Sequence, residues 1–536
     1  MNTCAFLSKA AQQRQDEPAI VHGDDVISYR ELHERALAIG GNLLELGLER
    51  GDRVAFVLHN SPRVLETVYG CFAAGLIVVP INARLHPREI GYIAGNSGAR
   101  VLVHDAEFND GILEHAGAFA SVEHRFCPQP VEGAKPYGAL LDPAAALDAH
   151  VDAEAEEPAW LFYTSGTTGR PKGATWTHRT IRVVVMNYLA DLHNIVPGEM
   201  VLHAAPLSHG SGIIALPAIA RGAVNAIFEP RSFEPKLLFQ AIERMKVSHI
   251  AFLAPTQIVR MLEDFEPGEY DLSSLRAITY GGAPIYVEHL RHAIDAFGPI
   301  FVQLFGQGEA PITITGLTAA AHAELLAGDD ARIASAGQVR TDVEARVVDE
   351  EDRPLPPGEA GEVVVRGDVV MAGYWNDPEA TAEALRGGWL HTGDIGSFDD
   401  RGYLFLLDRA KDVIITGGNN VYPREVEEVI VEHPAVANAV VLGVPHDYWG
   451  EAVHAVVVLE AGAQAAPEEI IAFCGRSLAG YKKPKAVDFV DALPVSGYGK
   501  VLRRELRERY WTGHERRVGG GGGLMTAGAR AERADA

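Results

Sequence analysis

Two spacings of apolar residues alternate along this chain. From Tyr29 the apolar positions Leu32, Ala36, Ile39, Leu43 and Leu46 advance by fours and threes, one stripe of a helix that Ser28 can cap and Gly47 can end. A short unbroken apolar run, Val54 to Leu58, predicts a strand after it. Ser61 and Pro62 then open a second helix, Gly75 closes it, and Leu76 to Ile81 predicts a buried strand. The rhythm recurs through predicted strands at Val101 to Val103, Val224 to Phe228, His249 to Leu253, Leu275 to Tyr280 and Phe301 to Phe305, with helical stretches between most of them. Such crossovers join parallel strands, so the expected class is α/β, with largely parallel sheets covered by helices.

The pattern changes twice towards the C-terminus. An acidic, Pro and Gly-rich stretch from Asp349 to Glu362 predicts an exposed turn between strands Ala345 to Val348 and Glu362 to Arg366. Beyond Asp408 the alternation restarts on a smaller scale, with strands near Ala439 to Leu442, Ala455 to Leu459 and Ala486 to Val490 and a helix from Pro467 to about Leu478. The expected division is a large N-terminal domain over 1–407 and a smaller, mobile α+β C-terminal domain over 408–512, with the boundary at Asp408 to Lys411. Residues 513–536, which begin near the glycine run Gly519 to Gly523, read as a disordered tail.

Composition narrows the function. At 536 residues the chain exceeds one ordinary core, and its 47% apolar content is that of a globular protein. The formal net charge of -25 repels nucleic acid and anionic lipid, and no basic patch strong enough to override it stands out. Cys4, Cys71, Cys127 and Cys474 lie far apart, without the pairing of a zinc site or a disulfide framework, which fits a reducing compartment. No apolar run is long enough to span a membrane or serve as a secretory signal, so a cytoplasmic location is expected. Oligomeric state leaves no trace in the sequence, and a homodimer is compatible with it.

One segment concentrates chemistry. Thr164, Ser165, Gly166, Thr167, Thr168, Gly169, Arg170, Pro171, Lys172 and Gly173 follow the apolar strand Ala159 to Tyr163. Its glycines let backbone N–H groups approach an anion, its hydroxyls donate hydrogen bonds, and Lys172 adds positive charge. The lysine spacing is not that of a Walker A loop. Read alone, the segment also fits a plain Ser, Thr and Gly surface turn.

This loop resembles the signature of the adenylate-forming superfamily, which includes acyl-CoA synthetases, peptide-synthetase adenylation domains and firefly-type luciferases. The similarity runs from about Asp24 to about Arg507, with further motifs in the family's order. In Phe305-Gly306-Gln307-Gly308-Glu309 the resemblance implies that Phe305 packs on adenine and Glu309 ligates magnesium. The family usually has a phosphate-binding Thr before that Glu, whereas this chain has Gly308. Thr392-Gly393-Asp394 matches a ribose-binding triplet, implying that Asp394 accepts from the ribose hydroxyls. In Asp408-Arg409-Ala410-Lys411-Asp412 it implies that Arg409 reaches the nucleotide and that Lys411 is the hinge.

The loop Thr416-Gly417-Gly418-Asn419-Asn420 resembles the one that guides the pantetheine thiol in acyl-CoA synthetases, which makes Gly418 the thiolation residue. Lys500, in Pro494-Val495-Ser496-Gly497-Tyr498-Gly499-Lys500, matches the lysine that bridges substrate carboxylate and α-phosphate. His209 stands where the family has a gate between acyl pocket and thiol channel, and Gly281, Gly282 and Ala283 where it lines the acyl pocket.

The implied reaction has two halves. A carboxylate attacks the α-phosphorus of Mg·ATP to give acyl-AMP and pyrophosphate, and a thiol, that of coenzyme A, then displaces AMP. Gly210 and Ser211 after His209 replace the Asp of amino-acid-specific domains, so a fatty or aryl acid is expected. Two alternatives stay open: transfer to a carrier-protein thiol, and a non-catalytic nucleotide-binding homologue, for which Gly308 is the hint.

Overall fold

The computed structural model describes residues 1–164, 170–283, 285–328, 330–409, 412–416, 419–446, 449–495 and 501–511. The expected α/β class holds. The helix begins at Tyr29 and runs to Glu45, and the Ser28 side chain accepts from the Glu31 N–H as its cap. The next helix, Pro62–Ala74, ends on Gly75 at φ +71° as predicted, but Ser61 makes no side-chain cap. Its hydroxyl is buried without a hydrogen-bond partner among the described residues, and Pro62 at the first position presets the helical φ.

Four sheets organise the chain. The first has seven strands, in the spatial order Lys135–Pro136, His124–Cys127, Ala99–His104, Arg53–Val57, Ile77–Ile81, Pro158–Thr164 and Lys172–Thr177. All pair in parallel except the last two, which form a hairpin with Thr164 opposite Lys172. The second has nine strands. At its centre Phe301–Phe305, Ala277–Gly281, His249–Leu253, Met200–His203, Val224–Ile227 and Pro18–His22 run in parallel. Buried residues from both sheets, among them Val78, Trp160, Ala251 and Leu304, share one core. The hairpin strand Lys172–Thr177 and the turn after Phe301–Phe305 come together: the Trp176 indole N–H donates to the Gly308 carbonyl at 2.6 Å.

The third sheet is antiparallel throughout: Glu344–Val348, Gly361–Arg366, Leu390–Phe398 and Leu404–Arg409. Its first hairpin encloses the predicted acidic turn, whereas its other strands were not read from the sequence. Between Arg409 and Ile414 the chain passes to a five-stranded sheet built on Val436–His446 and Gly450–Leu459, with Ala486–Phe489 parallel to the latter. The helix expected to reach Leu478 stops at Cys474. This separate C-terminal domain has its own core, including Val426, Ile430, Val441 and Val453.

Candidate active site

Thr164, Lys172 and Glu309 come from two different sheets and meet. The strand Pro158–Thr164 delivers Thr164 to its C-terminal end, where the hydroxyl donates to Glu309 Oε1 at 3.3 Å. The Tyr374 hydroxyl donates to the same oxygen at 2.7 Å, and Lys172 Nζ lies 5.1 Å from the centre of the Tyr374 ring. Tyr374 was not singled out in the sequence. Burial, with the Glu309 charge as the next cause, pushes its phenol far above the ordinary range, so it stays protonated and donates. Ser165, Gly166, Thr167, Thr168 and Gly169 lie outside the described residues, as do Lys411, Gly418 and Lys500.

Gly308 is accounted for by its surroundings. A β-carbon there would sit 2.2 Å from the Thr164 methyl and 2.9 Å from the Phe162 ring. The volume that a side chain at 308 would occupy is already filled by Thr164 and Phe162.

A second cluster gathers around Asp394. Asp394 and Arg409 stand opposite each other on neighbouring antiparallel strands, and Arg409 Nε lies 3.0 Å from Asp394 Oδ1. The Gln307 amide donates to the other carboxylate oxygen at 2.5 Å and to the Thr392 carbonyl at 2.9 Å. Gln307 thereby ties the strand-end turn after Phe305 to the third sheet. Phe305 itself is half-buried at the end of its strand. Gln307 also was missed, although it stands inside the motif, because nothing local to the turn reveals what a side chain reaches 87 residues later.

On the other side, an aromatic tier leads towards His209. Trp160 stacks on Trp176 at 5.5 Å, Phe162 on Trp176 at 4.8 Å, and the His209 ring meets Phe162 edge-on at 5.2 Å. Desolvation lowers the His209 imidazole to about 3, so it is neutral at physiological pH and accepts or donates as a neutral ring. Ser208 Oγ lies 2.9 Å from its Nδ1. Gly210 and Gly282 both abut Phe252: β-carbons built on them would approach its ring at 3.2 and 3.5 Å. Gly281 could carry no side chain, because a β-carbon would lie 2.5 Å from the Leu304 carbonyl oxygen. Ala283 follows on the half-exposed turn. Phe252, which carries no motif, is therefore part of the same wall.

The AMP-binding enzyme family matches residues 7–375, and the AMP-binding enzyme C-terminal domain matches 425–500. The chain belongs to the AMP-binding enzyme family. It is an adenylate-forming acid ligase of the acyl-CoA synthetase type, with ATP as the adenylating nucleotide. It is 37% identical over 511 residues to a protein named feruloyl-CoA synthase from Amycolatopsis, covering 94% of this chain and 98% of that one. It is 34% identical to the fatty acid–[acyl-carrier-protein] ligase ScoC of Streptomyces coeruleorubidus, over 95% and 96% of the two chains. The solved amide bond synthetase McbA from Marinactinospora thermotolerans superposes with a TM-score of 0.85 at 30% identity, covering 95% of this chain and 99% of that one.

Among the ligase's described residues no helix is long and apolar enough to cross a membrane, and no group of three or more His, Cys, Asp or Glu side chains gathers to hold a metal. The donor set around Glu309 nevertheless fits a hard cation shared with a nucleotide. Both hydroxyls fall on Oε1, so they leave the second carboxylate oxygen to other ligands, and magnesium typically takes only one or two protein carboxylates beside phosphate oxygens.

Proposed function

We propose that this ligase activates a hydrophobic monocarboxylic acid, aryl or fatty, as its acyl-adenylate and passes the acyl group to the thiol of coenzyme A. The observation that carries the reading is the joint placement of Glu309, Thr164 and Lys172 at the end of one sheet pair with Asp394, Arg409 and Gln307 beside them. Together they offer a carboxylate for magnesium, donors and a cation for phosphate, and a carboxylate for ribose hydroxyls. The neutral His209, the aromatic tier and the glycines against Phe252 supply an apolar wall for the acid, and Gly210 and Ser211 follow His209 where amino-acid-specific domains carry an Asp.

In the first half-reaction a substrate carboxylate oxygen bonds to the α-phosphorus while the bond to the β-phosphate oxygen breaks, and pyrophosphate leaves. Thr164 and Lys172 face the phosphates, and Lys500 neutralises the two anions that must approach each other, a contribution worth roughly 4 to 7 kcal/mol if it matches a phosphoryl-transfer arginine. Magnesium, held by Glu309, would supply charge neutralisation on the phosphate chain. In the second half the thiol attacks the acyl carbon, its proton is lost, and AMP departs. Gly418 and its loop guide that thiol, and rotation about Lys411 exchanges Lys500 for the loop.

The test is exchange of labelled pyrophosphate into ATP over a panel of aryl, fatty and amino acids, followed by discharge of the acyl-AMP with CoA, a carrier-protein thiol or an amine. Exchange is expected with aryl or fatty acids only, and discharge by CoA. Lys500→Ala is expected to cut exchange by at least 1,000-fold, on the order of the arginine-finger effect, while thiolysis of supplied acyl-AMP stays within a few-fold. Equal loss of both half-reactions would refute the separate roles. Exchange with no acid at all would leave the non-catalytic alternative, and discharge only by a carrier thiol or an amine would replace CoA as the acceptor.

A further inference from the structure

Just beyond the acyl-wall glycines lies a junction that nothing in the motifs announced. The strand Ala277–Gly281 ends, Gly282 turns at φ +78°, and Ile285, Tyr286 and Val287 open the helix Val287–Phe297. Adjacent side chains there belong to different cores. Ile285 is buried in the core of the second sheet, while Tyr286 packs against the core of the C-terminal domain.

Polar contacts from three consecutive residues cross the same junction. The Tyr286 hydroxyl donates to the Ala439 carbonyl at 2.9 Å. Arg424 Nη2 donates to the Ile285 carbonyl at 3.4 Å while its Nε holds Glu428 at 3.2 Å. The Val287 N–H donates to the Glu428 carboxylate, so a residue of the C-terminal domain caps a helix of the large domain. The helix has no side-chain cap of its own, since Tyr286 occupies the cap position.

We infer that Ile285 to Val287 form a docking hub through which the acyl pocket senses the position of the C-terminal domain. The turn at Gly281 to Ala283 is the acyl wall in the functional reading above, and this inference rests on that reading. Moving the C-terminal domain away costs the helix its cap and Tyr286 both its hydrogen bond and its packing, all within five residues of the wall. The reverse follows by linkage: an acid that holds the turn in place favours the docked arrangement, and one that displaces it favours release. Tyr286 is a positioning residue, since it acts through the turn and the domain and not on the reacting atoms.

The experiment compares the wild-type ligase with Tyr286→Phe, which keeps the ring in the C-terminal core and removes only the hydroxyl, and with Glu428→Gln, which keeps the shape of the cap and removes its charge. Pyrophosphate exchange and thiolysis of preformed acyl-AMP are measured separately, each across acids of increasing length. Both variants are expected to move the ratio of the two half-reaction rates by roughly five-fold, about the equilibrium worth of one hydrogen bond, with a melting temperature near that of wild type. The size of the change is expected to depend on the acid, while KM for ATP stays unchanged. If both half-reactions fall by one common factor, or neither moves, the hub is overturned. A wild-type protein that exchanges pyrophosphate with no acid would instead refute the functional reading, and the two failures are distinguishable.

Discussion

Gly308 makes the sharpest case at the scale of a single residue. The family's usual threonine would place a β-carbon 2.2 Å from the Thr164 methyl, so Thr164 must turn away and its 3.3 Å contact with Glu309 must break. Overpacking of a filled site costs typically about 1–3 kcal/mol. Gly308→Thr is therefore expected to slow acyl-AMP formation by roughly ten-fold or more, within that range, and to lower the melting temperature, both measurable on one preparation. An unchanged or faster exchange rate would show that Thr164 yields freely. The glycine was visible in the sequence as a departure from the family pattern. Its reason was not, because the residues that fill its place, Thr164 and Phe162, lie more than 140 positions earlier and reach it only through the alignment of two sheets.

At the scale of elements, the C-terminal helix Arg503–Tyr510 holds its domain together through charge. Arg503 donates to the Val441 carbonyl at 3.0 Å and to Glu427 at 2.8 Å, and Arg507 Nη2 lies 2.6 Å from Asp412. Asp408, at the last strand of the third sheet, has one buried oxygen without a hydrogen-bond partner among the described residues, and burial raises its carboxyl to about 6 in spite of the nearby Arg503 charge. Arg503→Gln would leave Glu427 almost fully buried without its cation. The cost is on the order of 2 kcal/mol, below that of a fully buried pair because Arg503 keeps some solvent contact. The C-terminal domain is expected to lose protection first, which hydrogen exchange over residues 423–459 would register. Uniform protection across both domains in the variant would contradict this. Helices and parallel strands in the large domain were legible because their apolar spacing is local. Of the antiparallel third sheet only the first hairpin was, since many residues of Leu390–Phe398 and Leu404–Arg409 are only partly buried, against partners that the fold supplies.

Across the whole molecule, buried histidines set the response to acid. Desolvation lowers His178, His203 and His322 to about 4 and His209 to about 3, and drives His249 well below its ordinary value. A histidine whose folded value lies below its unfolded value of about 6.5 binds its proton more readily when unfolded, so its stabilising contribution is complete above that pH and is lost as the pH falls towards the folded value. Asp408, Glu428 and Glu263 act in the opposite sense, since burial raises their folded values and favours the folded state at low pH, but they are fewer than the lowered histidines. The melting temperature is expected to fall by roughly 5–10 °C between pH 7.5 and pH 5, where each buried imidazole contributes on the order of 1–2 kcal/mol. A flat profile over that window would show that these rings are charged in the folded protein.

What the sequence by itself determined is the class of fold and the family, because periodicity, glycine placement and motif order are properties of neighbouring residues. Only the tertiary structure decided that Tyr374 and Thr164 share one oxygen of Glu309, that Gln307 holds Asp394, and that Tyr286 belongs to the core of another domain. Those pairings depend on which strand ends are brought side by side. Residues far apart in the chain become neighbours through sheet order and domain docking, and neither leaves a local signal in the sequence.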